Sequence, residues 1–151
     1  MIFRFVVCRL YWLRRVPFLP QFFDAFLLAI TALTNREKLR AIETLETRVC
    51  ATFGATTATH RFGGTEFVRD GVELGHVHGN GLFDAMIGRA NRIAAVGSGL
   101  AMPHHIFPDS GWVSLWLSGE EDVGRALELV RLAADRQEHR ANVLTTASDR
   151  L

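Results

Sequence analysis

His60-Arg-Phe-Gly-Gly-Thr-Glu-Phe-Val-Arg-Asp-Gly-Val-Glu-Leu-Gly-His-Val-His78 decides the fold. Asp70-Gly71 is a two-residue turn signal between two apolar runs, so the stretch reads as a β-hairpin. A tight turn fixes the pairing by counting: Arg69 opposite Val72, Phe67 opposite Leu74, Thr65 opposite His76. Side chains alternate along a strand. One face then carries Thr65, Phe67, Val72, Leu74, His76 and His78, and the other carries Glu66, Val68, Glu73 and Val77. Glu66 is expected on the side away from the histidines unless Gly63-Gly64 introduces a bulge that re-aims it.

Before the hairpin, Thr34 with Glu37 reads as a capping box. Leu39, Ile42, Leu45, Val49 and Phe53 follow as one helical stripe that stops at Gly54. After the hairpin, Gly79-Asn80-Gly81 is a flexible break, and Leu82 to Val96 reads as a second helix. Pro103 to Phe107 is expected to be extended, with His104 and His105 on opposite sides, so that at most one can join His76 and His78. Pro108 to Gly111 is a turn by composition. Trp112 to Leu117 alternates as a strand, with Trp112, Ser114 and Trp116 on one face. Ser118 and Glu121 read as the cap of a last helix whose stripe is Val123, Ala126, Leu127, Val130 and Ala134. Residues beyond about Glu138 are polar and expected to fray. The order of elements predicts an α+β domain, an antiparallel sheet covered by helices on one face.

The chain has 151 residues and a net charge of +1. That length suits one domain with a short appendage, and that charge argues against a nucleic-acid partner. The division expected is 1–34 as a basic, apolar extension, 35–139 as the domain, and 140–151 as a polar tail. Arg4, Arg9, Arg14 and Arg15 all precede Asp24, the first acid. Pro17 and Pro20 break the extension, and the apolar run from Gln21 to Leu33 is too short to span a bilayer. It reads either as an interfacial anchor on a membrane surface or as a helix packed on the domain. Cys8 and Cys50 have no metal or disulfide spacing. The expected location is cytoplasmic, peripheral on the membrane.

Five of the six histidines fall between His60 and His105. Imidazole titrates near neutrality and suits proton transfer or ligand binding. His76, His78 and His105 are the catalytic candidates, and the same residues are the ligands if a metal is bound. The nearest acids in the sequence are Glu66, Asp84 and Asp109. No other cofactor is expected. Ser110 and Ser114 sit in no nucleophile-elbow pattern, and no nucleotide-binding glycine motif is present. Trp112 and Trp116 can stack on a planar ligand or cover the core.

Three strings carry a resemblance: His60-Arg-Phe-Gly-Gly-Thr-Glu-Phe67, Glu73-Leu-Gly-His-Val-His-Gly79 and Pro103-His-His-Ile-Phe-Pro-Asp-Ser-Gly-Trp-Val-Ser114. They resemble the signature blocks of the luciferase-domain family, over roughly Ala41 to Ala134. The family is named for its similarity to the fungal bioluminescence luciferase, a membrane-associated enzyme that oxygenates a hydroxylated pyrone. The resemblance implies a cofactor-independent, luciferase-like monooxygenase acting on a small planar phenol or pyrone. It implies a histidine base and a substrate site among Arg61, Glu66, His104, Asp109, Ser110 and Trp112. Leu82 to Ala90 departs from the basic, proline-containing stretch expected there. A non-enzymatic, membrane-tethered domain that binds a small ligand or metal is the alternative. A fainter similarity in element order is to frataxin-like sandwich proteins.

Overall fold

The structure is a computed structural model and describes residues 19–148. The expectations placed on Arg4, Arg9, Arg14, Arg15, Cys8 and Pro17 lie outside the described residues. In chain order the elements are α1 (Leu19–Thr34), α2 (Arg36–Phe53), β1 (Thr56–Thr59), β2 (Thr65–Arg69), β3 (Val72–Val77) and β4 (Leu82–Met86). Then come α3 (Arg89–Gly97), β5 (Met102–Pro103), β6 (Trp112–Trp116), a 3-10 turn (Glu120–Asp122) and α4 (Val123–Ser148). The strands form one sheet in the order β1-β2-β3-β4-β6-β5, antiparallel throughout. The fold is α+β, as the order of elements predicts.

Helices α2 and α4 pack on each other and on the sheet. Ala41, Ile42, Leu45 and Val49 of α2 meet Val123, Ala126, Leu129 and Val130 of α4 over Phe67, Leu74, Val77, Phe83, Val113 and Leu115. This dry side supplies most of the hydrophobic driving force. The opposite side of the same strands carries the polar residues.

Asp70 and Gly71 adopt positive φ (52° and 73°), the tight hairpin turn their sequence calls for. The counting fails beyond it. Arg69 pairs with Val72 and Val68 with Glu73, but Phe67 then pairs with Gly75, Glu66 with His76 and Thr65 with Val77. Leu74 is the extra residue of a β-bulge, and a bulge reverses the facing of everything past it. Leu74 and Val77 both point into the core. His76 lies across from Glu66, on the side that the unbulged count gave to Glu66 and Glu73.

The expected helix from Leu82 is a correction. Leu82–Met86 is a strand between β3 and β6, and helix α3 starts only at Arg89. Gly79-Asn80-Gly81 is a closed hairpin turn, with Gly81 N–H donating to His78 O (2.8 Å) and Leu82 N–H to Asn80 Oδ1 (3.0 Å). Because β4 is buried on both faces, its sequence shows no period of two.

Smaller corrections follow the same kind of local chemistry. Asn35, not Thr34, caps α2 by accepting the Lys38 N–H (3.0 Å), and Gly54 ends that helix in a left-handed conformation. Asp122 accepts the Ser118 N–H (2.9 Å), so the cap of the last helix reaches backward from a carboxylate. Helix α4 continues through Ser148.

Helix α1 packs with its polar side inward. Asp24 and Thr31 are buried, whereas Phe22, Phe26, Ile30 and Leu33 form an exposed stripe. The helix crosses the β3–β4 turn at Gly79, where a Cβ would lie 2.6 Å from Asp24 O and Leu28 N, so only glycine fits. Among the described residues no helix is long and apolar enough to cross a membrane.

Candidate functional site

The register places Glu66, His76, Asp84 and Ser114 in one row across β2, β3, β4 and β6. His78 follows two residues along β3 on the same face. Asp84 is the hub. Its residue is fully buried, and Ser114 Oγ donates to its Oδ1.

Among the described residues, Asp84 Oδ2 has no hydrogen-bond partner. Four imidazole nitrogens surround it: His76 Nε2 at 3.6 Å, His104 Nε2 and His105 Nδ1 at 3.7 Å each, and His78 Nε2 at 3.9 Å. These separations exceed hydrogen-bonding distance. Burial on its own would push the Asp84 pKa up. The His105 side chain beside it, and the positive charge that His76, His104 and His105 carry when protonated, outweigh burial and hold the carboxyl below its usual range.

The outer nitrogens assign the tautomers. His76 Nδ1–H donates to Glu73 Oε1 (2.6 Å), and His78 Nδ1–H donates to Asp24 Oδ1 (3.2 Å). A neutral ring that donates from Nδ1 carries its lone pair on Nε2. In that neutral form, the one a metal ligand must take, both Nε2 lone pairs turn toward Asp84. His104 is the reverse, because its Nδ1 accepts the N–H groups of Ile106 (3.2 Å) and Phe107 (3.0 Å). Its Nε2 is protonated and faces the carboxylate as a donor. Burial, then repulsion from His105, His76 and His78, pushes its pKa to about 4 against the attraction of Asp84, so the ring is neutral.

His60 forms a second layer. Its ring stacks on His76 at 3.8 Å, its Nδ1 accepts the Phe62 N–H (3.4 Å), and its Nε2 lies 3.8 Å from Glu73 Oε1. Burial and the neighbouring His76 lower its pKa to about 4. The bulge at Leu74 makes this layer, since it brings Glu73 to the same face as His76 only three residues away.

The structure brings His76, His78, His104 and His105 together, so both members of the His104-His105 pair reach the cluster. The strand there ends at Pro103, and the chain bends instead of staying extended. Trp112 lies against the cluster, with its ring 5.5 Å from His76 and 6.0 Å from His104. Glu66 is half-buried beside it, its pKa raised by burial and by Glu73. Arg61 is exposed and stacks over Phe62 (4.6 Å), which touches His60. Asp109 is exposed, and Ser110 donates to Phe107 O (2.6 Å) within its own turn.

Sequence reasoning named Asp84 only as a nearby acid and left Asp24 and Glu73 out of the site. Asp84 was hidden in a segment read as a helix. Asp24 lay in an apolar extension, and its isolation there was the available signal: a lone acid in an otherwise apolar helix needs a partner. Glu73 was assigned to the wrong face.

No curated protein and no solved structure matches the chain. The match to the family model described as Luciferase domain covers residues 71–133, from the hairpin turn into α4, and includes Glu73, Asp84 and the four clustered histidines. Residues 71–133 are thus similar to the luciferase-domain family.

Proposed function

We propose that the protein is an oxidoreductase, a luciferase-like monooxygenase that uses molecular oxygen on a small planar phenol or enol, and that the reaction takes place at the Asp84 cluster. The supporting observation is one fully buried carboxylate, its pKa lowered, with four imidazoles turned toward its Oδ2. A hydroxylated ring placed at His105, whose side chain is the most exposed of the four at 18%, gives up its proton to imidazole. The resulting anion is the electron-rich partner of oxygen and supplies the electrons itself: one oxygen atom enters the ring as a carbonyl and the other leaves as water. Trp112 offers a face for the ring, and Arg61, beyond Phe62 and His60, offers a positive charge for the anion.

The exposed stripe Phe22, Phe26, Ile30 and Leu33, preceded in sequence by Arg14 and Arg15, supports a peripheral membrane attachment. Flotation with anionic vesicles is expected to carry the protein upward, and full recovery in the soluble fraction sinks this attachment.

An oxygen electrode tests the chemistry with a panel of hydroxypyrones and phenols. Uptake is expected with at least one ring, falling by about 10²–10⁴-fold in His105→Ala, the usual contribution of a positioned general base. No uptake across the panel, or unchanged uptake in His105→Ala, contradicts the assignment.

A further inference from the structure

His76 Nε2, His78 Nε2 and Asp84 Oδ2 are all electron-pair donors, and they converge. The first lies 3.6 Å and the second 3.9 Å from the third, and the three residues each offer a ligand atom within 4.8 Å of the other two. Each ring sets its Nδ1 against a carboxylate, Glu73 for His76 and Asp24 for His78, so that a neutral ring donating there presents the Nε2 lone pair to Asp84. Among the described residues that carboxylate oxygen has no hydrogen-bond partner, and the His104 N–H stands 3.7 Å away, so a cation among the three donors would offset its burial.

We propose that His76, His78 and Asp84 bind one divalent first-row transition-metal ion. Two imidazoles and one carboxylate, leaving positions for other ligands, form the donor set that suits iron(II) and its reactions with oxygen. With metal–donor bonds of about 2.1 Å, neighbouring donors stand roughly 3.0–3.4 Å apart. The observed separations close to that on inward shifts of roughly half an ångström. Glu73 and Asp24 act as positioning residues. Each holds an Nδ1–H and so presents the opposite nitrogen, the usual outer support of a metal-bound histidine.

The same tautomer argument chooses among the overlapping groups. His104 presents Nε2–H and cannot offer that nitrogen as a ligand, so it serves as a hydrogen-bond donor beside the metal. His60 likewise accepts at Nδ1, and Glu73 Oε1 already receives the His76 proton, so the outer His60–Glu73–His76 group is not a second centre. His105 lies 3.7 Å from Asp84 Oδ2, next to the metal position, where an acidified hydroxyl would sit. The metal's part in the reaction rests on the oxygenase reading above; metal binding itself does not.

The test uses the full chain, stripped with a chelator and reloaded anaerobically with iron(II), manganese(II) or zinc(II) alone. Bound metal is measured by emission spectrometry after desalting, together with the thermal midpoint. One ion per chain and a raised midpoint are expected, with retention lost in Asp84→Asn. Glu73→Gln, which leaves all three donors in place, is expected to weaken affinity by about 10–100-fold while far-ultraviolet circular dichroism stays unchanged. Absence of retained metal and of any midpoint shift with all three ions overturns the proposal, as does unchanged affinity in both variants. Oxygen uptake that survives chelation overturns the metal's part in the reaction and leaves the oxygenase reading standing. Stoichiometric metal with no uptake on any hydroxylated ring leaves the metal centre and removes the oxygenase.

Discussion

Asp24→Ala probes whether helix α1 is part of the domain. Asp24 Oδ1 accepts two donors, Gly79 N–H at 3.0 Å and His78 Nδ1–H at 3.2 Å, and the residue is buried. Alanine leaves both donors without a partner. An unsatisfied buried donor costs about 1–3 kcal/mol, so the pair costs about 2–6 kcal/mol. For a chain of this size, at about 3 °C per kcal/mol, the thermal midpoint falls by about 6–18 °C. The measurement is made by circular dichroism on chelator-treated protein, so that no bound ion masks the loss. Asp24→Asn keeps one acceptor oxygen and is expected to lose about half as much. A midpoint within 2 °C of the parent in Asp24→Ala would refute the reasoning, because a free-standing extension loses nothing when its one acid is removed.

Other expectations follow from the same geometry. Gly79→Ala pushes a methyl group onto the α1 backbone at Asp24 and Leu28, costs about 1–3 kcal/mol as overpacking, and exposes α1 to limited proteolysis; unchanged protease resistance contradicts the close crossing. Metal-free protein is expected to lose stability as pH falls from about 6.5 to about 4. His60 and His104 have folded pKa values lowered to about 4, so the unfolded chain binds more protons in that window. Urea midpoints that are flat from pH 7.5 to 4.5 would show these rings are not held neutral. Cobalt(II) is expected to quench tryptophan fluorescence in the parent and much less in Trp112→Phe, given the 5.5 Å between Trp112 and His76; equal quenching in both places the ion elsewhere.

The fold class was legible because its signals are local. Asp70-Gly71 dictates a turn, α2 and α4 show one-sided stripes, and Val113, Leu115 and Leu117 alternate with polar or exposed neighbours. The site was half legible. The histidines were identified, but their facing depended on one inserted residue at Leu74, and a bulge there leaves no mark in composition. Strand β4 concealed Asp84 because burial on both faces erases periodicity. Asp24 reaches the site through tertiary packing, across more than fifty positions of sequence, which no local pattern encodes. The two imidazoles thought to diverge, His104 and His105, converge because backbone N–H groups capture His104 Nδ1 and bend the chain.

Anomalous diffraction from a crystal loaded with manganese(II) or iron(II), recorded at the metal edge, tests the central claim most directly. The account predicts one peak per chain, in bonding contact with His76 Nε2, His78 Nε2 and Asp84 Oδ2, with His104 outside that contact. A crystal with no peak at the cluster, or with the ion held instead by His60 and Glu73, would contradict it.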